Sequence, residues 1–134
     1  MFTKKLSEQD ALKMSSVTLA FVGDAVYALF VREKLSLGKD YKSGELNKMT
    51  TSYVRATAQA EKITALLGNL TENESYVYRR ARNAHKPSRA KSASVSEYNK
   101  STGFEALVGY LYLTGDEERL SYVLNFGEED ENRG

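Results

Sequence analysis

The sequence contains no cysteine and no tryptophan, one proline and one histidine. Without cysteine there is no disulfide framework, no thiolate nucleophile and no cysteine-bound zinc. The N-terminus has no charged-then-apolar leader, which predicts a cytoplasmic protein. The longest apolar stretch, Val17 to Val31, is broken by Asp24 and falls short of the roughly 20 residues that span a bilayer, so membrane insertion is not expected. What is present is an ordinary globular composition: 134 residues, 41% of them hydrophobic, enough for one domain with its own core and no metal or disulfide staple.

The formal net charge of +1 is a cancellation between two segments. From Arg79 to Lys100 seven bases (Arg79, Arg80, Arg82, Lys86, Arg89, Lys91, Lys100) stand against the single acid Glu97, with His85 among them. From Asp116 to Gly134 seven acids stand against Arg119 and Arg133. So one-sided a basic stretch predicts an anionic partner more readily than a solvated, salt-bridged face.

Apolar residues recur at three- and four-residue spacing almost throughout, and alternating strand-like runs are hard to find, so the chain reads as all-α. Ser7 with Asp10, Thr71 with Glu74 and Ser94 with Glu97 have the spacing of helix-starting boxes. They predict a short first helix to about Met14, a helix from Ser16 to Leu35 stopping near Gly38, and a helix or helix pair from Ser43 to Leu67 with Gly68 as its left-handed cap. A shorter helix from Thr71 ends in the basic run Arg79 to Arg82. A loop from His85 to Ser94 holds the one proline, a helix runs from Ser94 towards Gly115, and a last one ends at Gly127. The expected domain is 1–127, with 128–134 as an acidic C-terminal tail.

Two carboxylates sit where apolar residues are expected. Asp24 lies in LAFVGDAVYALF (Leu19 to Phe30) and Glu105 in GFEALVGYL (Gly103 to Leu111). Neither has a polar face around it, so both read as buried charges that require a cation or a lost proton. Arg32 or Arg55 could supply a structural partner. Hard oxygen donors with no cysteine otherwise favour Mg²⁺, which commonly takes one or two carboxylates together with substrate phosphates. Such a site beside a basic stretch suits phosphodiester hydrolysis. Gly23 and Gly103, one beside each acid, would allow close helix packing.

These residues also carry a family resemblance. LAFVGDAVYAL (Leu19 to Leu29) resembles the signature helix of the ribonuclease III family, a Glu-x-x-x-Gly-Asp-Ala-Val type run, and STGFEALVGYLYL (Ser101 to Leu113) resembles its second catalytic helix. LNKMTTSYVRATAQA (Leu46 to Ala60) is similar to the long helix between them. RARNAH (Arg80 to His85) resembles a stretch of the family's short form, which lacks the double-stranded RNA-binding domain. The resemblance implies the all-α ribonuclease III endonuclease-domain helical bundle and an Mg²⁺-dependent endoribonuclease that leaves 5′-phosphate and 3′-hydroxyl ends. It places Asp24 and Glu105 as catalytic metal ligands. It also implies a homodimer acting on double-stranded RNA, with Phe21 or Phe30 crossing to the partner, and a role in maturing 23S ribosomal RNA in which a ribosomal protein could help. Arg79, Arg80, Arg82, His85, Lys86, Arg89, Lys91 and Lys100 would then grip the RNA in place of the missing domain. The chain departs from the family at two acid positions, which fall on Ala20 and Thr102. That departure keeps open a non-catalytic RNA-binding or ribosome-associated protein on the same fold, and beyond it a plain helical interaction module.

Overall fold

The structure is a computed structural model and describes residues 2–38, 40–84 and 94–128. Among the described residues there are seven α-helices: α1 (Glu8–Lys13), α2 (Ser16–Gly38), α3 (Ser43–Val54), α4 (Ala56–Leu66), α5 (Glu72–Asn83), α6 (Val95–Leu113) and α7 (Glu117–Asn125). No strand occurs among the described residues. The helix starts follow the expected chemistry. Thr71 with Glu74 and Ser94 with Glu97 form complete capping boxes, whereas Ser7 makes only its own half, accepting from the Asp10 amide. Just past the end of α6, the Gly115 amide donates to the Tyr112 carbonyl, and its φ of 70° turns the chain so that the Asp116 amide reaches Leu111. Gly68, in contrast, lies in a short 3₁₀ turn (Leu67–Asn69) and is not among the glycines with positive φ, so it is no left-handed cap.

Helix α6 is the axis of the bundle, with α2, α4 and α5 packed around it. From Ser101 to Leu111 every residue is buried except Glu105, as expected of a helix that is apolar on nearly all sides. Helix α2 crosses α6 on the ridge Leu19, Gly23, Tyr27 and Val31, all buried. Its other side is exposed and apolar: Val17 is 72% exposed, Phe21 79% and Leu29 57%. Phe30 instead packs inward, its ring stacked on Tyr27.

Two ion-pair groups fasten the periphery. Arg119 on α7 grips the buried Glu74 on α5 with bonds of 2.8 and 2.6 Å. Glu128, at the start of the acidic tail, bridges Lys34 on α2 at 2.8 Å and Lys62 on α4 at 2.9 Å. Lys62 is almost wholly buried and also donates to the Leu124 carbonyl. The two lysines hold the Glu128 carboxyl below its ordinary value, although burial alone would raise it. A carboxylate with a depressed folded pKa contributes stability above its unfolded pKa and loses that contribution as pH falls through the folded one. Glu128→Gln is therefore expected to cost about 1–3 kcal/mol at pH 7, and thermal melts should show the gap to wild type closing as the pH is taken below 4.

Candidate active site

Helix α6 presents Glu105 as the one break in its buried stretch, on the side facing α2 and α4. Asp24 of α2 comes close enough to raise the Glu105 carboxyl, although the two are 81 residues apart in sequence. The close crossing of α2 and α6 makes this possible. A β-carbon on Gly23 would sit 1.7 Å from the Glu105 carbonyl oxygen, and one on Gly109 would sit 2.0 Å from that of Leu19. Gly103 has a different role, since a β-carbon there would strike the Tyr78 ring of α5 at 2.6 Å.

Asp24 is exposed, which corrects the expectation of a buried aspartate. Its helix is apolar on two sides but covered on only one, so Asp24 lies at the rim between the α6 contact and the bare Val17, Phe21, Leu29 ridge. Glu105 is the more enclosed partner. Burial first, and the neighbouring Asp24 carboxylate second, push its carboxyl up to about 8. Neither acid has a structural cation among the described residues. Among the described residues the ion pairs are those of Glu74 and Glu128, while Arg32 and Arg55 are exposed.

Gln59 of α4 completes the arrangement, and sequence reasoning missed it. It is 2% exposed, its Nε2 donates to the Val54 carbonyl at 2.7 Å, and its side-chain amide lies near enough to the Glu105 carboxyl to favour the charged form. Its Oε1 is buried and has no hydrogen-bond partner. The signal was there in part, since Gln59 shares an apolar stripe with Ile63 and Leu66 and is the one polar member.

The two positions where the family carries further acids cannot replace them. Ala20 is buried in the core, and the buried Thr102 turns its hydroxyl back to the Tyr98 carbonyl at 3.1 Å. Among the described residues no cluster of three or more His, Cys, Asp or Glu side chains suits a metal. The donor set is thus a pair of carboxylates with Gln59 behind them. It fits a hard divalent cation, since a carboxyl pair without a counter-charge is what such an ion relieves.

The expected RNA-facing bases separate. Arg79 is exposed at the end of α5, Arg82 lies over the Tyr78 ring, and Lys100 is half-buried on α6. Arg80 turns inward, donating to the Leu12 and Met14 carbonyls at 2.8 and 2.6 Å and so closing the C-terminal end of α1. His85, Lys86, Arg89 and Lys91 lie outside the described residues. No helix among the described residues is long and apolar enough to cross a membrane.

Comparison with known proteins gives the family. Residues 17–116 match the Ribonuclease III domain. The chain is similar to the Mini-ribonuclease 3 of Symbiobacterium thermophilum, with 48% identity over 92% of this chain and 95% of the relative. The Mini-ribonuclease 3 of Thermoanaerobacter sp. is 43% identical over 91% and 86%. A crystal structure of a Fusobacterium nucleatum protein superposes with a TM-score of 0.77 at 32% identity, covering 84% of this chain and 90% of that one. With its two family helices crossing so as to pair Asp24 with Glu105, the chain belongs to the ribonuclease III family and is an endoribonuclease.

Proposed function

We propose that this protein cuts double-stranded RNA with Mg²⁺ held between Asp24 and Glu105, leaving 5′-phosphate and 3′-hydroxyl ends, and that it matures 23S ribosomal RNA in the cytoplasm. The observation that carries the metal site is the carboxyl pair itself: two adjacent acids, one pushed up to about 8, with no lysine or arginine paired to either among the described residues. When bound, Mg²⁺ supplies Lewis-acid activation of water and neutralises charge building up on the scissile phosphate. Asp24, at the rim, is the group open to the solvent side from which RNA approaches. Glu105, fixed by its buried helix, is the anchored one. Its proton must leave before a cation can bind, so occupancy rises with pH. Residues 1–127 form the catalytic unit in this reading, and 128–134 the acidic tail.

Arg79, Arg82 and Lys100, with His85, Lys86, Arg89 and Lys91, would supply the phosphate contacts. The inward-facing Arg80 would support α1 beneath them. A-form RNA is gripped by shape and phosphate, so binding weakens steeply with salt. The bare apolar ridge of α2 supports a homodimer, and Phe21 rather than Phe30 is the aromatic free to cross. Light scattering should then return twice the 15.0 kDa chain mass.

The deciding experiment is a gel assay on long double-stranded RNA at low salt, with Mg²⁺ or with EDTA, running Asp24→Asn beside wild type. Cutting should need Mg²⁺ and fall at least about 10³-fold in Asp24→Asn, the order of loss that follows removal of a preorganised charge at a reacting phosphate. Binding without cutting, equal in both proteins, would instead mark a binding protein on a nuclease fold, the reading that Ala20 and Thr102 favour.

A further inference from the structure

Gln59 is buried beside a reaction centre and is incompletely bonded. A carboxamide offers two N–H donors and one accepting oxygen. Here one donor goes to the Val54 carbonyl and the amide lies beside the Glu105 carboxyl, while the oxygen, buried with the rest of the side chain, has no partner. Leaving such an acceptor unmade is costly, and in a native site it calls for a reason. Val54 is the last residue of α3, and Arg55 breaks the chain between α3 and α4 with an extended backbone. The Gln59 amide therefore holds the Val54 carbonyl at the α3–α4 corner and stands beside the enclosed carboxyl of α6. A plain apolar residue would fill the space in the Ile63, Leu66 stripe, but it could not orient a carboxyl group.

We propose that Gln59 is the positioning residue of Glu105: its Nε2 fixes the carboxyl opposite Asp24, and its Oε1 is kept for a donor, a water or an RNA hydroxyl, that enters when the site is loaded. This compensates for the acids missing at Ala20 and Thr102, because one carboxylate held by a neutral amide is aligned without adding a third negative charge. The inference rests on the nuclease reading above.

The test compares the full-length protein with Gln59→Met, which keeps length and burial, and with Gln59→Leu. At saturating duplex RNA the folded variants should lose about 10–100-fold in kcat with KM unchanged, the scale of an outer partner of a metal ligand. Mn²⁺ affinity of the RNA-free protein, read by electron paramagnetic resonance, should weaken together with kcat. Wild-type kcat and Mn²⁺ affinity in either folded variant would overturn the proposal. So would an activity loss that merely follows the fraction unfolded in a thermal melt. A second measurement needs no variant of Gln59: its side-chain amide resonances should shift on adding Mg²⁺ to wild type and stay still in Asp24→Asn. Resonances unmoved by Mg²⁺ in wild type would also overturn it. A wild type that binds Mn²⁺ yet never cuts RNA would sink the nuclease reading instead, and is told apart because it shows before any variant is made.

Discussion

Glu105→Gln is expected to abolish cleavage and, at the same time, to make the metal-free protein more stable than wild type at pH 8. The Glu105 carboxyl has an ordinary value of 4.5 and is pushed up to about 8 in the folded protein by burial and by Asp24. Between those two values the native state holds a proton that the unfolded chain has released. The wild type should therefore lose stability steadily as pH rises from about 4.5 to 8, and level off above. The loss is on the order of a few kcal/mol, or roughly 5–10 °C in melting temperature for a domain of this size. A glutamine cannot ionise, so the slope should vanish in the variant, and the two melting curves should be furthest apart at pH 8 in EDTA. Adding Mg²⁺ at pH 8 should restore the wild type, because the cation binds the ionised pair, and should leave Glu105→Gln unmoved. Melting both proteins at pH 5, 6.5 and 8, with and without Mg²⁺, checks every part of this. A wild type whose stability is flat across that range would mean that Glu105 is ionised without help, and the case for an uncompensated carboxyl pair would fail.

The pairing of Asp24 with Glu105 was legible in the sequence because each acid interrupts an apolar helix, and two such interruptions require a common explanation. Helix boundaries were legible for a similar reason, since Thr71 with Glu74 and Ser94 with Glu97 are local chemistry that no tertiary contact has to supply. The burial of Asp24 was not, because helical spacing does not tell how many apolar sides a helix will find covered. Helix α2 has two and covers one. Arg80 shows the same limit in a basic run: composition places it with Arg79 and Arg82, but only the position of the α1 carbonyls turns its guanidinium inward. Gln59 was passed over because a neutral amide in a helix has no charge to demand a partner. Its importance appears only when Val54 and Glu105 are seen on either side of it.

Gly23→Ala should damage the fold and the chemistry together. Its β-carbon would be placed 1.7 Å from the Glu105 carbonyl oxygen and 2.8 Å from the Gly109 amide nitrogen, all backbone atoms that no rotamer change can move aside. Helices α2 and α6 would have to separate along the crossing that also brings Asp24 to Glu105. Overpacking of this kind costs about 3 kcal/mol or more, which predicts a fall of roughly 10 °C or more in melting temperature. The molecules that still fold should cleave poorly, since a misplacement of about 1 Å in a reacting geometry can cost on the order of 10²-fold. Gly109→Ala meets the Leu19 carbonyl at 2.0 Å and should behave alike. The control is Gly44→Ala on α3, where nothing lies within 4 Å. There the added methyl only improves helix propensity, so stability should stay level or rise by a few tenths of a kcal/mol with cleavage unchanged. Melting curves and single-turnover rates on the same three preparations separate the two effects. If Gly23→Ala melts low but cleaves at the wild-type rate per folded molecule, the crossing sets stability alone and the register of Asp24 against Glu105 is held elsewhere.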